Sequence, residues 1–126
     1  DLRGNPGGWV LSAVQMATLL LDRSTEGLRL AITQDHNTAS AAELLPATLQ
    51  DHGRARVFGE RSYGKGRAAS FACSLHALLP TGFCVLWTRR DGSTIEHRGI
   101  TPDVPCAGQD AVSLAHAHLS LAPRNR

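Results

Sequence analysis

A chain of 126 residues with 42% hydrophobic and 19% charged residues can bury one compact core and is too short for two. Its 13 basic and 11 acidic residues leave a net charge of +2, scattered with no basic stripe or acidic block, which argues against a nucleic-acid surface. The longest apolar stretch, residues 9–21, contains Ser12, Gln15 and Thr18 and is too short to span a bilayer.

Residues 1–8 read as the end of a strand entering a glycine-rich turn, and residues 9–22 as a helix, apolar nearly all round and hence well buried. After a polar loop at 23–27, Leu28, Leu30 and Ile32 alternate against Arg29 and predict a strand over 28–33. A turn at 34–38 leads to a helix over 39–51, which carries Pro46 awkwardly inside and stops at His52-Gly53. A short strand at 54–58, a loop at 59–66 and a hairpin of 68–75 with 82–88 follow. Asp91-Gly92 marks a tight turn before a short strand at 95–98. Residues 99–103 form a structured loop, and 110–121 a terminal helix with Asp110 as N-cap. The class is α/β.

Cys73, Cys84 and Cys106 have no metal-ligand spacing and read as small buried apolar residues, with a Cys73–Cys84 disulfide across the hairpin as the alternative. His116 and His118 point to opposite sides of the terminal helix and read as part of a surface tail. Neither a metal nor any other cofactor is expected.

Chemistry concentrates in three glycine-marked places. Gly4-Asn5-Pro6-Gly7-Gly8, ahead of the first helix, offers unpaired N–H groups to a phosphate or an oxyanion, or is an ordinary strand-to-helix turn. Gly59-Glu60-Arg61-Ser62-Tyr63-Gly64-Lys65 matches the start of the phosphate-loop pattern. Gly66 then stands where a magnesium-binding hydroxyl belongs, and a strand rather than a helix follows, so nucleotide binding is disfavoured. Thr38-Ala39-Ser40-Ala41-Ala42-Glu43 sets a serine at a helix mouth among small residues. Such a serine is an N-cap or, given a base, a nucleophile whose oxyanion meets the Ala41 N–H. Twelve of the 13 basic residues are arginine, and Lys65 is the only lysine. Arginine stays protonated in a protein, whereas a desolvated lysine can act as a base. Lys65 is therefore the natural partner for Ser40.

With Leu49-Gln50-Asp51-His52-Gly53-Arg54-Ala55 and Gly99-Ile100-Thr101-Pro102-Asp103 added, these segments together resemble the C-terminal processing peptidases, or tail-specific proteases, of the S41 serine peptidase family. The resemblance implies a ClpP/crotonase-like catalytic core over residues 1–104, truncated at its N-terminal strand, then a C-terminal tail with a short helix over 105–126. It implies a serine endopeptidase with Ser40 as nucleophile, Lys65 as general base, the N–H groups of Gly8 and Ala41 as oxyanion hole and Glu43 in support. The implied partner is a polypeptide substrate, with no nucleic acid and no membrane span, and with a PDZ or flanking domain in a longer chain. The implied home is extracytoplasmic, in the periplasm or cell envelope. A lysine base must be substantially neutral, which calls for burial. Many family members carry a glutamine four residues after the lysine to orient its amine; here that residue is Ala69. The alternative is a catalytically impaired relative acting as a peptide-binding or assembly module.

Overall fold

Helix α1 (Val10–Leu21) precedes a βαβ unit in which β1 (Ala31–Gln34) is joined through α2 (Ala41–Asp51) to the parallel strand β2 (Arg56–Gly59). The computed structural model describes residues 1–72 and 81–121, and the side chains of residues 1–67 and 86–120. An antiparallel hairpin of β3 (Arg67–Ala72) and β4 (Thr81–Leu86) comes next, then β5 (Val104–Pro105) and α3 (Asp110–Leu121). β5 adds to the free edge of β2, giving a parallel sheet ordered β1-β2-β5.

Both faces of this sheet are covered, which is why Ile32, Thr33 and Gln34 are buried in succession instead of alternating. On the central strand, Val57 packs with Leu49 of α2, whereas Phe58 packs with Ala111 and Ala115 of α3. Successive residues of a strand face opposite ways, so α2 and α3 lie on opposite sides. Pro46 sits inside α2 and removes one helical donor, but it is itself fully buried; packing, not propensity, keeps that turn helical.

Several sequence expectations are corrected. Residues 1–8 form no strand: the chain runs irregularly beside β1, with Leu2 N donating to Thr33 O at 2.8 Å. Helix α1 forms where expected but is not well buried. Of its residues only Ala17 is buried, because the helix packs on α2 through one stripe that includes Val10 and Ala13. Trp9 and Leu11 stand 83% and 71% exposed, with Met16 and Leu19 on the same open side. The periodicity reports an apolar surface and not what lies against it. No strand occupies 95–98. There Arg98 N and Gly99 N both donate to Ile95 O, and His97 takes φ 58°, which closes the chain into a turn. Asp110 is the first residue of α3 and not a cap outside it. The His118 ring lies 5.5 Å from that of Phe58, so this helix is fastened to the sheet. Cys106 is free and half-buried; Cys73 and the side chain of Cys84 lie outside the described residues. Among the described residues, no helix is long and apolar enough to cross a membrane.

Gly59 ends β2 at φ 122°, and a Cβ there would lie 2.0 Å from Gln34 O of β1. Neither the backbone angle nor the adjacent strand can accommodate it. Gly59→Ala is therefore expected to destabilise the fold by at least about 3 kcal/mol, read as a lowered urea midpoint.

Candidate active site

Three loops meet at the carboxyl ends of the parallel strands, the end of an open α/β sheet where ligands bind. Residues 4–8 lead into α1, 35–40 lead from β1 into α2, and 59–66 leave β2. Asp35 Oδ1 accepts from Gly4 N at 2.9 Å and from Thr38 N and Asn37 N at 3.0 Å. Partial burial opposes ionisation of Asp35, but these donors outweigh it and hold its carboxyl below the ordinary 3.8. The clasp on Gly4 is thus present at neutral pH and is lost only as the pH falls through that lowered value. Ala39 N donates to Asn5 O at 2.9 Å, and Tyr63 N to Thr38 O at 2.9 Å, fastening the second loop to the other two.

Ser40 stands at the junction with φ 58° and ψ −127°, a conformation that costs a non-glycine residue strain. Gly7, at φ 100°, lies against it so closely that a Cβ would sit 2.7 Å from Ser40 Cβ and 3.0 Å from Ala41 N. Only glycine permits that approach. Gly7, Gly8 and Ala41 line one cleft of about 230 Å³, walled by Leu2, Trp9, Ala13 and Leu45. The N–H groups of Gly8 and Ala41 have no hydrogen-bond partner among the described residues. Two free donors and the entrance of α2 thus share a concave, largely apolar space beside Ser40, an arrangement suited to a developing negative charge.

Glu43, fully buried in the first turn of α2, is the centre of the cluster. Its Oε1 accepts from Ser62 Oγ at 2.6 Å and Gly64 N at 2.7 Å, and its Oε2 from Ser40 N and Lys65 N, both at 2.8 Å. One carboxylate therefore ties the backbone of Ser40 to that of Lys65. The hydrogen bonds around Ser62 have a forced direction. Ile100 N donates to Ser62 Oγ at 2.6 Å, so the single hydroxyl proton is left for Glu43. Beneath the loop, Gln34 Nε2 donates to the carbonyls of Glu60 and Ile100, each at 2.8 Å.

Gly8, Ser40 and Lys65 are carried by these three converging loops, and Ala41 and Glu43 by the first turn of α2. The burial expected for Lys65 is not found: its side chain is exposed, because the loop turns its amides inward to Glu43 and so turns that side chain outward. No hydrogen bond joins Ser40 Oγ to Lys65 Nζ among the described residues. Ser62 and Glu96, whose Oε2 accepts from Gly66 N at 2.7 Å, are cluster members that the sequence reading did not single out. Their partners are distant in sequence, so no local pattern marks them. The segment after Gly66 is strand, as expected, and not the helix that a phosphate loop leads into.

The model of a family described as Peptidase family S41 matches residues 24–106, more than half of the chain. A probable CtpA-like serine protease of Staphylococcus haemolyticus is 26% identical over 139 residues, covering 91% of this chain and 28% of that protein. The corresponding protein of Staphylococcus aureus strain COL is 29% identical over 128 residues, covering 82% of this chain and 26% of its own length. The chain thus spans about a quarter of the curated relatives it matches. Among solved structures, a photosystem II D1 C-terminal processing protease superposes with a TM-score of 0.70 at 24% identity, over 98% of this chain and 39% of that one. A lipoprotein from Streptococcus agalactiae gives 0.66 at 18% identity, over 94% of this chain and 52% of that one. The fold described above is therefore the S41 protease fold, of which this chain spans a part.

Proposed function

The chain belongs to peptidase family S41, and from that membership we propose that it carries a serine–lysine centre that hydrolyses peptide bonds in unfolded or C-terminal polypeptide segments. What carries the reading is the Glu43 carboxylate, which accepts from the amides of both Ser40 and Lys65 and so holds nucleophile and base to one anchor. In this reading Ser40 Oγ attacks the scissile carbonyl carbon while neutral Lys65 Nζ takes the hydroxyl proton. The oxyanion is held by the N–H groups of Gly8 and Ala41. As the C–N bond breaks, Lys65 gives the proton to the leaving amine, leaving an acyl ester on Ser40. Water, giving a proton to Lys65 Nζ, then attacks the ester carbonyl; as the C–O bond breaks that proton passes to Ser40 Oγ and the acid product leaves. With Lys65 exposed on this chain, the desolvation that a neutral lysine needs comes from the bound polypeptide or from further protein covering the loop. The proposed setting for this activity is extracytoplasmic, in the periplasm or cell envelope, a reading with which the lipoprotein neighbour is compatible.

The exposure of Lys65 also favours a second reading, an impaired relative that binds polypeptide ends without cutting them. A serine-reactive fluorophosphonate separates the two. The peptidase reading expects the wild-type protein to be labelled and Ser40→Ala not to be, with hydrolysis of an unfolded polypeptide lost in the same variant. Polypeptide binding with neither labelling nor hydrolysis would establish the second reading instead.

A further inference from the structure

Glycines flank Lys65 on both sides, and its side chain is long, exposed and flexible, so some contact must fix the direction in which it leaves the loop. Ala69 has no polar side chain with which to do so. The backbone does it instead. Three consecutive amides are taken up by carboxylates: Gly64 N and Lys65 N by Glu43 at 2.7 and 2.8 Å, and Gly66 N by Glu96 Oε2 at 2.7 Å. The carbonyl of Gly64 accepts from His97 N at 2.8 Å, and that of Gly66 from Trp87 N at 2.8 Å.

Glu96 reaches the loop because its neighbour Ile95 is buried with Leu44, Ala47 and Ile100 under α2, while residues 95–99 close into their turn. That turn presses on both glycines. A Cβ at Gly66 would lie 2.7 Å from Glu96 N, and one at Gly64 would lie 2.8 Å from Gly99 N. The Gly64-Lys65-Gly66 triplet is therefore gripped between Glu43 on one side and the 95–99 turn on the other. The second oxygen of Glu96 is 3.3 Å from Arg67 Nε and 3.5 Å from His97 Nε2, and its side chain is only 15% exposed. These contacts hold the carboxylate in place for Gly66.

We propose that Glu96 is a positioning residue for Lys65: by accepting the Gly66 amide it completes the grip begun by Glu43 and sets where the lysine amine points. The inference rests on reading Lys65 as the base, and its test is chosen to fail separately from that reading. Because Lys65 is the only lysine, carbon-13 labelling of lysine gives a single ε-methylene resonance, whose pH titration reports this amine alone, without substrate. Glu96→Ala is expected to shift that titration and to lower kcat by about 10–100-fold with KM little changed, the loss that follows when a reacting group is misplaced by about 1 Å. Glu96→Gln keeps an oxygen for the Gly66 amide and is expected to restore both. If Glu96→Ala does not fold, Glu96→Asp is read in its place; it keeps the charge facing Arg67 but draws the carboxylate back from Gly66 by one methylene. An unchanged Lys65 titration in the truncated variant overturns the proposal, as does a loss that Gln does not repair. Lys65→Ala that still hydrolyses polypeptide would overturn the serine–lysine reading, while the resonance would still decide whether Glu96 positions the lysine.

Discussion

Lys65→Arg is expected to lower kcat/KM on an unfolded polypeptide by about 10²–10⁴-fold, the contribution of a lost general base, while unfolding stays within about 0.5 kcal/mol of the parent. The two halves of this expectation come from different parts of the structure. Lys65 is held through its backbone amide, which arginine also has, and its side chain is exposed, so the fold has little to lose. The chemistry has much to lose, because a guanidinium cannot give up its proton and so cannot take one from Ser40. Arg61 in the same loop and Arg67 just after it are no substitutes, for the same reason. Urea unfolding alongside initial rates checks both halves. A Lys65→Arg protein with full activity would end the serine–lysine assignment.

Glu43→Gln is expected to cost about 2–4 kcal/mol of stability, in addition to any effect on rate. The carboxylate satisfies four donors with two oxygens, inside a cluster from which water is excluded. An amide offers one oxygen and one N–H₂ group. Whichever way it is turned, two donors that Glu43 now satisfies are left facing a donor. Ser62 can re-aim its hydroxyl; the amides of Ser40, Gly64 and Lys65 cannot move without moving the loops. Denaturant titration of the variant is the measurement. Stability equal to the wild type would show that the buried cluster contributes nothing to the fold.

The helices were legible because their signals are local. Small residues open α2, His52-Gly53 closes it, and an apolar run marks α1. The four residues of β1 were also legible, though shifted toward the carboxyl end, since alternation at Leu28 and Leu30 precedes the part that actually pairs. What an element packs against is not local, and α1 shows it. Its composition is that of a buried helix, yet only one stripe meets α2. Residues 95–98 looked like a strand because Thr94 and Ile95 favour one, but Ile95 is drawn under α2 and the chain turns back on itself at His97. At the site, Ser40, Ala41, Glu43, Gly8 and Lys65 stand in motifs that a reader can match. Ser62 and Glu96 became visible only as hydrogen-bond partners, because a carboxylate that meets its donor 19 or 30 residues away leaves no trace in spacing.

The backbone angles of Ser40 bear on how such a chain changes over generations. A residue at φ 58° and ψ −127° carries roughly 1–3 kcal/mol of strain that glycine would relieve. Mutation tempered only by the need to stay folded would drift position 40 toward glycine, since stabilising substitutions are easy to reach. A chain kept only for gripping peptide ends would be free to make that exchange. A hydroxyl retained there is held against the thermodynamic gradient, and position 40 is thus where relaxed selection on chemistry would first leave its mark.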